Sequence, residues 1–137
     1  MATDVQLASD PVLAFAQLTA ADGGNRAAPN NVVSFGAISG VTANKGYHVR
    51  GLRVAALGTT TAGAIRLYRK DGANYRFLGV ELEVPARTPQ ISGPFIAPWY
   101  GIWIPDEGYI WCPDAYELVV STHNAETFNC WLHGWKY

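Results

Sequence analysis

The sequence predicts an all-β domain: an antiparallel β-sandwich of about eight strands, preceded by an N-terminal arm. Three observations carry this. From Val32 onward, short runs rich in β-branched and aromatic residues are separated by Gly-, Pro- and Asn-containing turns at the spacing of a sandwich. Two pairs of runs align as hairpins with their apolar residues on one face. Finally, 137 residues of which 49% are hydrophobic suffice for one sizeable core and argue against wholesale disorder.

Residues 1–31 differ from the rest, being Ala-rich, poor in β-branched residues and closed by Asp22-Gly23-Gly24-Asn25 and Pro29-Asn30-Asn31. They read as an arm or edge segment joined to a sandwich domain over 32–137. Two conformations are open for the arm. Asp10 as cap and Pro11 as first residue suit a helix over Pro11 to Ala21. The preferred alternative is an extended arm lying on a neighbouring subunit, with residues 1–25 dispensable for folding.

The strand runs are Val32 to Phe35, Tyr47 to Leu57, Ala64 to Lys70, Tyr75 to Val84, Gln90 to Ala97, Tyr100 to Ile104 (or its merger with Tyr109 to Cys112), Tyr116 to His123 and Thr127 to Trp135. In the second run alternation breaks at Gly51, since Val49 lies on one parity and Leu52, Val54 and Ala56 on the other; a bulge there reconciles them. With Asp71-Gly72-Ala73-Asn74 as a loop, Lys70 faces Tyr75, Tyr68 meets Phe77, Leu67 opposes Leu78, Ile65 opposes Val80, and Arg66 lies diagonal to Glu81. With Asn124-Ala125-Glu126 as a loop, a terminal hairpin pairs Thr122 with Phe128, Val120 with Cys130 and Leu118 with Leu132. Its other face then pairs Glu117 with His133, Val119 with Trp131 and Ser121 with Asn129.

Charge excludes the simplest functions. Ten Lys+Arg against 11 Asp+Glu give a formal net charge of -1, too little field to suggest nucleic acid or an acidic membrane as partner. Charged residues make up 15%, against roughly 25% in ordinary soluble domains, while aromatics reach 12%. A surface so poor in charge is expected to be covered in part by another protein. The first basic residue is Arg26, so the apolar run Pro11 to Ala21 lacks the basic flank of a signal peptide. Thr88 to Pro105 is interrupted by Pro89, Pro94 and Pro98, unlike a membrane span. The expectation is a protein made in the cytoplasm, with Cys112 and Cys130 as free buried thiols.

No constellation meets the needs of catalysis. Glu81 and Glu83 share a strand face roughly 7 Å apart by strand rise, but carboxylates on one strand cannot easily flank a scissile bond. Ser121, His123 and Asn129 cluster on the expected terminal hairpin without visible oxyanion donors. His48, His123 and His133 are scattered and show no metal-ligand spacing. Gly58-Thr59-Thr60-Thr61-Ala62-Gly63 lacks the Lys and following helix of a P-loop. The expectation is therefore no enzyme, no cofactor and no metal.

The distinctive feature is the aromatic series Trp99, Tyr100, Trp103, Tyr109, Trp111, Trp131, Trp135 and Tyr137. Three uses compete for these rings: closing the ends of the sandwich, meeting another protein, or stacking on sugar.

A resemblance adds to this. The stretch His48-Val-Arg-Gly-Leu-Arg-Val-Ala-Ala-Leu-Gly-Thr-Thr-Thr-Ala-Gly-Ala-Ile-Arg-Leu-Tyr68 resembles the "leucine, apolar, Gly-Thr-x-Thr, then Arg-Leu-aromatic" segment of small β-sandwich structural proteins of tailed bacteriophages. Leu78-Gly-Val-Glu-Leu-Glu-Val-Pro-Ala86 is similar to their "Leu-x-x-Glu-x-x-apolar-Pro-Ala" strand. Ile104-Pro-Asp-Glu-Gly-Tyr-Ile110 is similar to their "Leu-Pro-x-Gly-x-x-Leu" turn, with the Gly one position later, and Leu118 to Tyr137 resembles their closing strands. The resemblance covers Tyr47 to Tyr137; the Trp-rich Pro98 to Cys112 segment and the N-terminal arm depart from it. It implies a jelly-roll-like sandwich without enzymatic activity and a capsid decoration or cement protein on the virion exterior. Its partners would be the major capsid protein and itself, as a homo-oligomer (dimer or trimer), with no nucleic acid and no membrane. The residues expected to make the contacts are Val5, Leu7, Val12, Leu13 and Phe15 of the arm, with Trp99, Tyr100, Trp103 and Trp111 of the aromatic series. The alternatives are a tail or head-tail junction protein and a carbohydrate-binding module.

Overall fold

The computed structural model describes residues 10–36, 46–88, 99–103, 110–112 and 116–136. Nine strands are present among them: β1 (Asp10–Leu18), β2 (Val33–Ser34), β3 (Tyr47–Ala56), β4 (Gly63–Asp71), β5 (Asn74–Val84), β6 (Trp99–Trp103), β7 (Ile110–Cys112), β8 (Glu117–Thr122) and β9 (Phe128–Lys136). They form two antiparallel sheets packed together. The larger runs β1-β9-β3-β6, with β7 also paired to β3, and the smaller runs β2-β8-β4-β5. The expected run Gln90 to Ala97 lies outside the described residues.

Residues 10–18 form the edge strand of the larger sheet. The segment is extended, not helical, and it pairs along its whole length with β9 of its own chain, from Asp10 opposite Lys136 to Leu18 opposite Phe128. Strand rather than helix wins because its side chains alternate in a two-residue period: Ala14, Ala16 and Leu18 are buried while Leu13, Phe15 and Gln17 are exposed. Leu18 has no exposed surface. A chain lacking residues 1–25 would therefore lose part of the core, contrary to the expectation that those residues are dispensable.

The bulge expected at Gly51 is present: the β3 to β9 register shifts between Val49 and Gly51, leaving Arg50 as the extra residue. The bulged backbone presses on its neighbour. A Cβ placed on Gly134 would stand 1.8 Å from the His48 carbonyl oxygen, so only glycine fits opposite it. On its other side β3 pairs first with β7, Tyr47 opposite Cys112, and then with β6, Gly51 opposite Trp103. The segments considered as one merged strand are thus collinear along β3, with residues 104–109 between them.

The β4 to β5 hairpin follows the expected register near its turn, with Lys70 opposite Tyr75 and Tyr68 opposite Phe77. Gly72 at φ 58° makes the two-residue turn, with positive φ only at its first position. Beyond Tyr68 the register shifts by two residues, so Leu67 opposes Val80, Ile65 opposes Leu82, and Arg66 lies directly opposite Glu81. The expected Leu67–Leu78 and Ile65–Val80 pairs are corrected accordingly. The cause is Gly79 at φ +73°, a left-handed residue that bulges β5.

The terminal hairpin does not exist. β8 lies between β2 and β4, while β9 lies between β1 and β3 in the other sheet. The parity was right and the neighbours wrong: Leu118 and Val120 from one sheet join Phe128, Cys130 and Leu132 from the other in a single core. The connection His123–Thr127 crosses between the sheets and is braced by the parallel crossing from β3 to β4. Asn124 Nδ2 donates to the Ala62 carbonyl at 3.1 Å, and the Thr61 amide donates to Glu126 Oε1 at 2.7 Å. Glu117 accepts a bond from Ser34 Oγ at 2.8 Å rather than meeting His133.

Candidate functional site

Three strands of the larger sheet turn one row of side chains each away from the core. β1 presents Leu13, Phe15 and Gln17; β9 presents Asn129, Trp131, His133 and Trp135; β3 presents His48, Arg50, Arg53 and Ala55. Register makes them neighbours: Phe15 opposes Trp131, which opposes Arg53, and Leu13 opposes His133, which opposes Gly51. Leu13 is 66% exposed, Phe15 50% and Trp135 42%.

The contacts within the row are specific. The Phe15 and Trp131 rings lie 5.6 Å apart at 53°, and the Arg53 guanidinium stands 6.0 Å from the Trp131 ring centre. Arg50, pushed out by the bulge, stands 5.8 Å from the Trp135 ring. At the end of the row Gln17 Nε2 donates to Asn129 Oδ1 at 3.0 Å. No carboxylate occurs in this row among the described residues, and its rings lie beside the two guanidinium groups. Burial, reinforced by the Arg50 charge, holds His48 below its usual pKa and favours neutral imidazole.

The smaller sheet has a different outer face, covered in part by its own chain. The segment after β1 lies across β8 and β4, fixed by Asp22. The Asp22 amide donates to the Thr122 carbonyl at 2.8 Å. Its carboxylate is fully buried and accepts bonds from Ser121 Oγ at 2.7 Å, Arg66 Nη1 at 2.8 Å and the Gly24 amide at 2.8 Å. Burial alone would raise the Asp22 pKa, but the bonds from Ser121, Gly24 and Arg66, with the Arg66 charge, outweigh it and hold the carboxyl below its usual value. Arg66 also donates through Nε to Glu81 Oε2 at 2.8 Å, and Arg26 grips both Glu81 oxygens at 2.8 and 2.9 Å.

This network removes Glu81 from acid-base chemistry. The hydrogen bonds from Arg26 outweigh partial burial and, with Arg66, bring its pKa down to about 2. A proton donor of the glycosidase kind needs the opposite shift. Ser121 donates to buried Asp22, and Asn129, with which the sequence grouped it, lies in the other sheet. Cys112 and Cys130 are buried and form no disulfide; burial raises both thiols, Cys130 to about 12, which leaves them poor nucleophiles. Among the described residues no three His, Cys, Asp or Glu side chains gather as a metal site, and no helix is long and apolar enough to cross a membrane.

Of the expected contact residues, Leu13 and Phe15 stand on the outer face of the larger sheet. Val12 is in β1, Trp99, Tyr100 and Trp103 are in β6, and Trp111 is in β7. Val5 and Leu7 lie outside the described residues. Sequence reasoning missed Arg50, Arg53, Trp131 and Trp135 as members of the same face. The bulge at Gly51 was the available signal for Arg50, but only the pairing of β9 with both β1 and β3 brings Trp131 between Phe15 and Arg53. No protein-family model, curated protein or solved structure matches the chain.

Proposed function

We propose that this chain is a structural protein of a tailed-bacteriophage virion, a capsid decoration or cement protein whose larger sheet docks on the assembled shell. The observation that carries the reading is the outer face of β1, β9 and β3: exposed Leu13, Phe15 and Trp135, two guanidinium groups, and no carboxylate among the described residues. Apolar rings combined with Arg are the composition of interface hot spots. A ligand of the assembled lattice that ignores free subunits stabilises the lattice by mass action, so bridging major capsid subunits is the mechanism. No chemical step is required, and the chain acts as a binding protein rather than an enzyme.

We propose further that the sandwich is a jelly roll. Counting β6 and β7 as one interrupted strand gives eight strands in the orders β1-β9-β3-β6 and β2-β8-β4-β5. The chain changes sheet at each connection except β4 to β5 and β6 to β7, and this alternation supports a jelly roll, an architecture of viral capsid and lectin domains. Because a fold does not fix a role, the docking face bears more weight than the topology. The carbohydrate-binding alternative is weaker. Sugar stacking needs an open ring, whereas among the described Trp rings Trp131 is hemmed by Phe15 and Arg53, and Arg50 stands over Trp135.

The test is to add the purified chain to capsids that lack it and measure co-sedimentation and the melting temperature of the shell. Saturable binding to shells but not to free subunits, with a raised shell melting temperature, is expected. Binding confined to tails would move the protein to the tail or head-tail junction, and glycan binding without particle binding would overturn the proposal.

A further inference from the structure

We infer that the free edge of β1 pairs antiparallel with β1 of a second copy, joining two larger sheets into one. β1 is the terminal strand of its sheet, and among the described residues no strand covers its outer edge. Exposed strand edges are normally protected by charge, Pro or bulges, because their unpaired amides and carbonyls recruit other strands. β5, the long edge strand of the other sheet, has those devices: Arg76, Glu81 and Glu83 along its length and the bulge at Gly79. β1 has none past its first two residues. Its sequence from Val12 to Leu18 contains no charge, Pro or Gly, its β9 register runs without a shift, and it exposes Leu13 and Phe15.

The edge is self-complementary. A two-fold axis at Ala14 sets Leu13 opposite Phe15 of the second copy, and Phe15 opposite its Leu13. Face parity is preserved, so exposed residues meet exposed residues and the inward row continues inward. Charge agrees with this register. Asp10 is the one charged residue in β1, and it falls opposite Leu18 of the other copy, with the two Asp10 residues at opposite ends of the pair. No like charges are brought together. The pairing sets Leu13 and Phe15 of each copy beside those of the other, leaves their outer face open, and brings the Trp131, Arg53, Trp135 and Arg50 rows of two copies onto one surface. It does not depend on what that surface docks against.

The test uses the full chain and two double variants, Leu13→Lys with Phe15→Lys and Leu13→Glu with Phe15→Glu. Sedimentation equilibrium of the unaltered chain should show a concentration-dependent dimer. In either variant like charges directly opposite each other should weaken it by at least about tenfold. An equimolar mixture of the Lys and Glu variants should recover the dimer, because position 13 faces position 15 of the other copy. Each variant should still unfold in a single cooperative transition, and the parent's melting temperature alone should rise with concentration, as dimerisation requires.

A chain that stays monomeric throughout, variants that still dimerise, or a mixture that fails to recover the dimer would each overturn the inference. Hydrogen exchange on the unaltered chain gives an answer free of substitutions: outward-pointing β1 amides should gain protection as concentration rises, and concentration-independent exchange would count against it. A dimer that ignores capsids leaves this inference standing and removes the docking proposal; a monomer that decorates capsids does the reverse.

Discussion

Asp22 ties the segment after β1 to both β8 and β4 of the smaller sheet. It was legible only as part of an Asp-Gly-Gly-Asn turn, because local turn chemistry does not show that a carboxylate will be enclosed by Arg66 and Ser121, 44 and 99 residues away. Removing it with Asp22→Ala leaves the Arg66 guanidinium buried beside Glu81 alone, and urea unfolding should show a loss of about 3–5 kcal/mol. Glu81 sets the acid response. Its pKa is about 2 in the fold against an ordinary 4.5, so between those values the unfolded chain binds more protons and stability rises with pH. The contribution is complete above about pH 4.5 and is lost as pH falls towards 2; Asp22, shifted the same way, adds to it. Unfolding free energy measured across that window should fall steeply towards low pH for the parent and less steeply for Glu81→Gln.

At the level of strands, the sequence was read well wherever one period and one local turn decide the outcome. The Lys70 to Tyr75 turn and the Gly51 bulge are of this kind. Reading failed where two strands share a parity but not a sheet. An alternation such as Leu118, Val120 against Cys130, Leu132 reports which face is buried, and is silent on whether the two rows lie side by side or across a core. Glycines reveal the rest. Gly79→Ala should cost about 1–2 kcal/mol, the price of a Cβ in left-handed backbone. Gly134→Ala should cost more, about 3 kcal/mol, because its Cβ meets the His48 carbonyl and the bulged strand must give way. Melting temperatures of the two variants give their order directly.

For the molecule as a whole, the division between an inert scaffold and a working face yields a separable prediction. Trp135→Ala and Arg53→Glu alter exposed or half-exposed groups, so each should leave the chain's own melting temperature nearly unchanged while weakening attachment to capsids at least about tenfold. Deleting residues 1–25 should behave oppositely, abolishing the cooperative thermal transition by stripping β9 of its neighbour and the smaller sheet of Asp22. The pairing of β1 with β9 reaches further. Asp10 and Lys136 are register partners, so these two points of the backbone lie side by side, roughly 5 Å apart by strand geometry. Such a body behaves as a plug. Cut back to Asp10 and Lys136, it can be spliced into an exposed loop of a carrier protein without stretching either, and a short linker joining those two residues would permit a circular permutant reopened at the Gly72 turn.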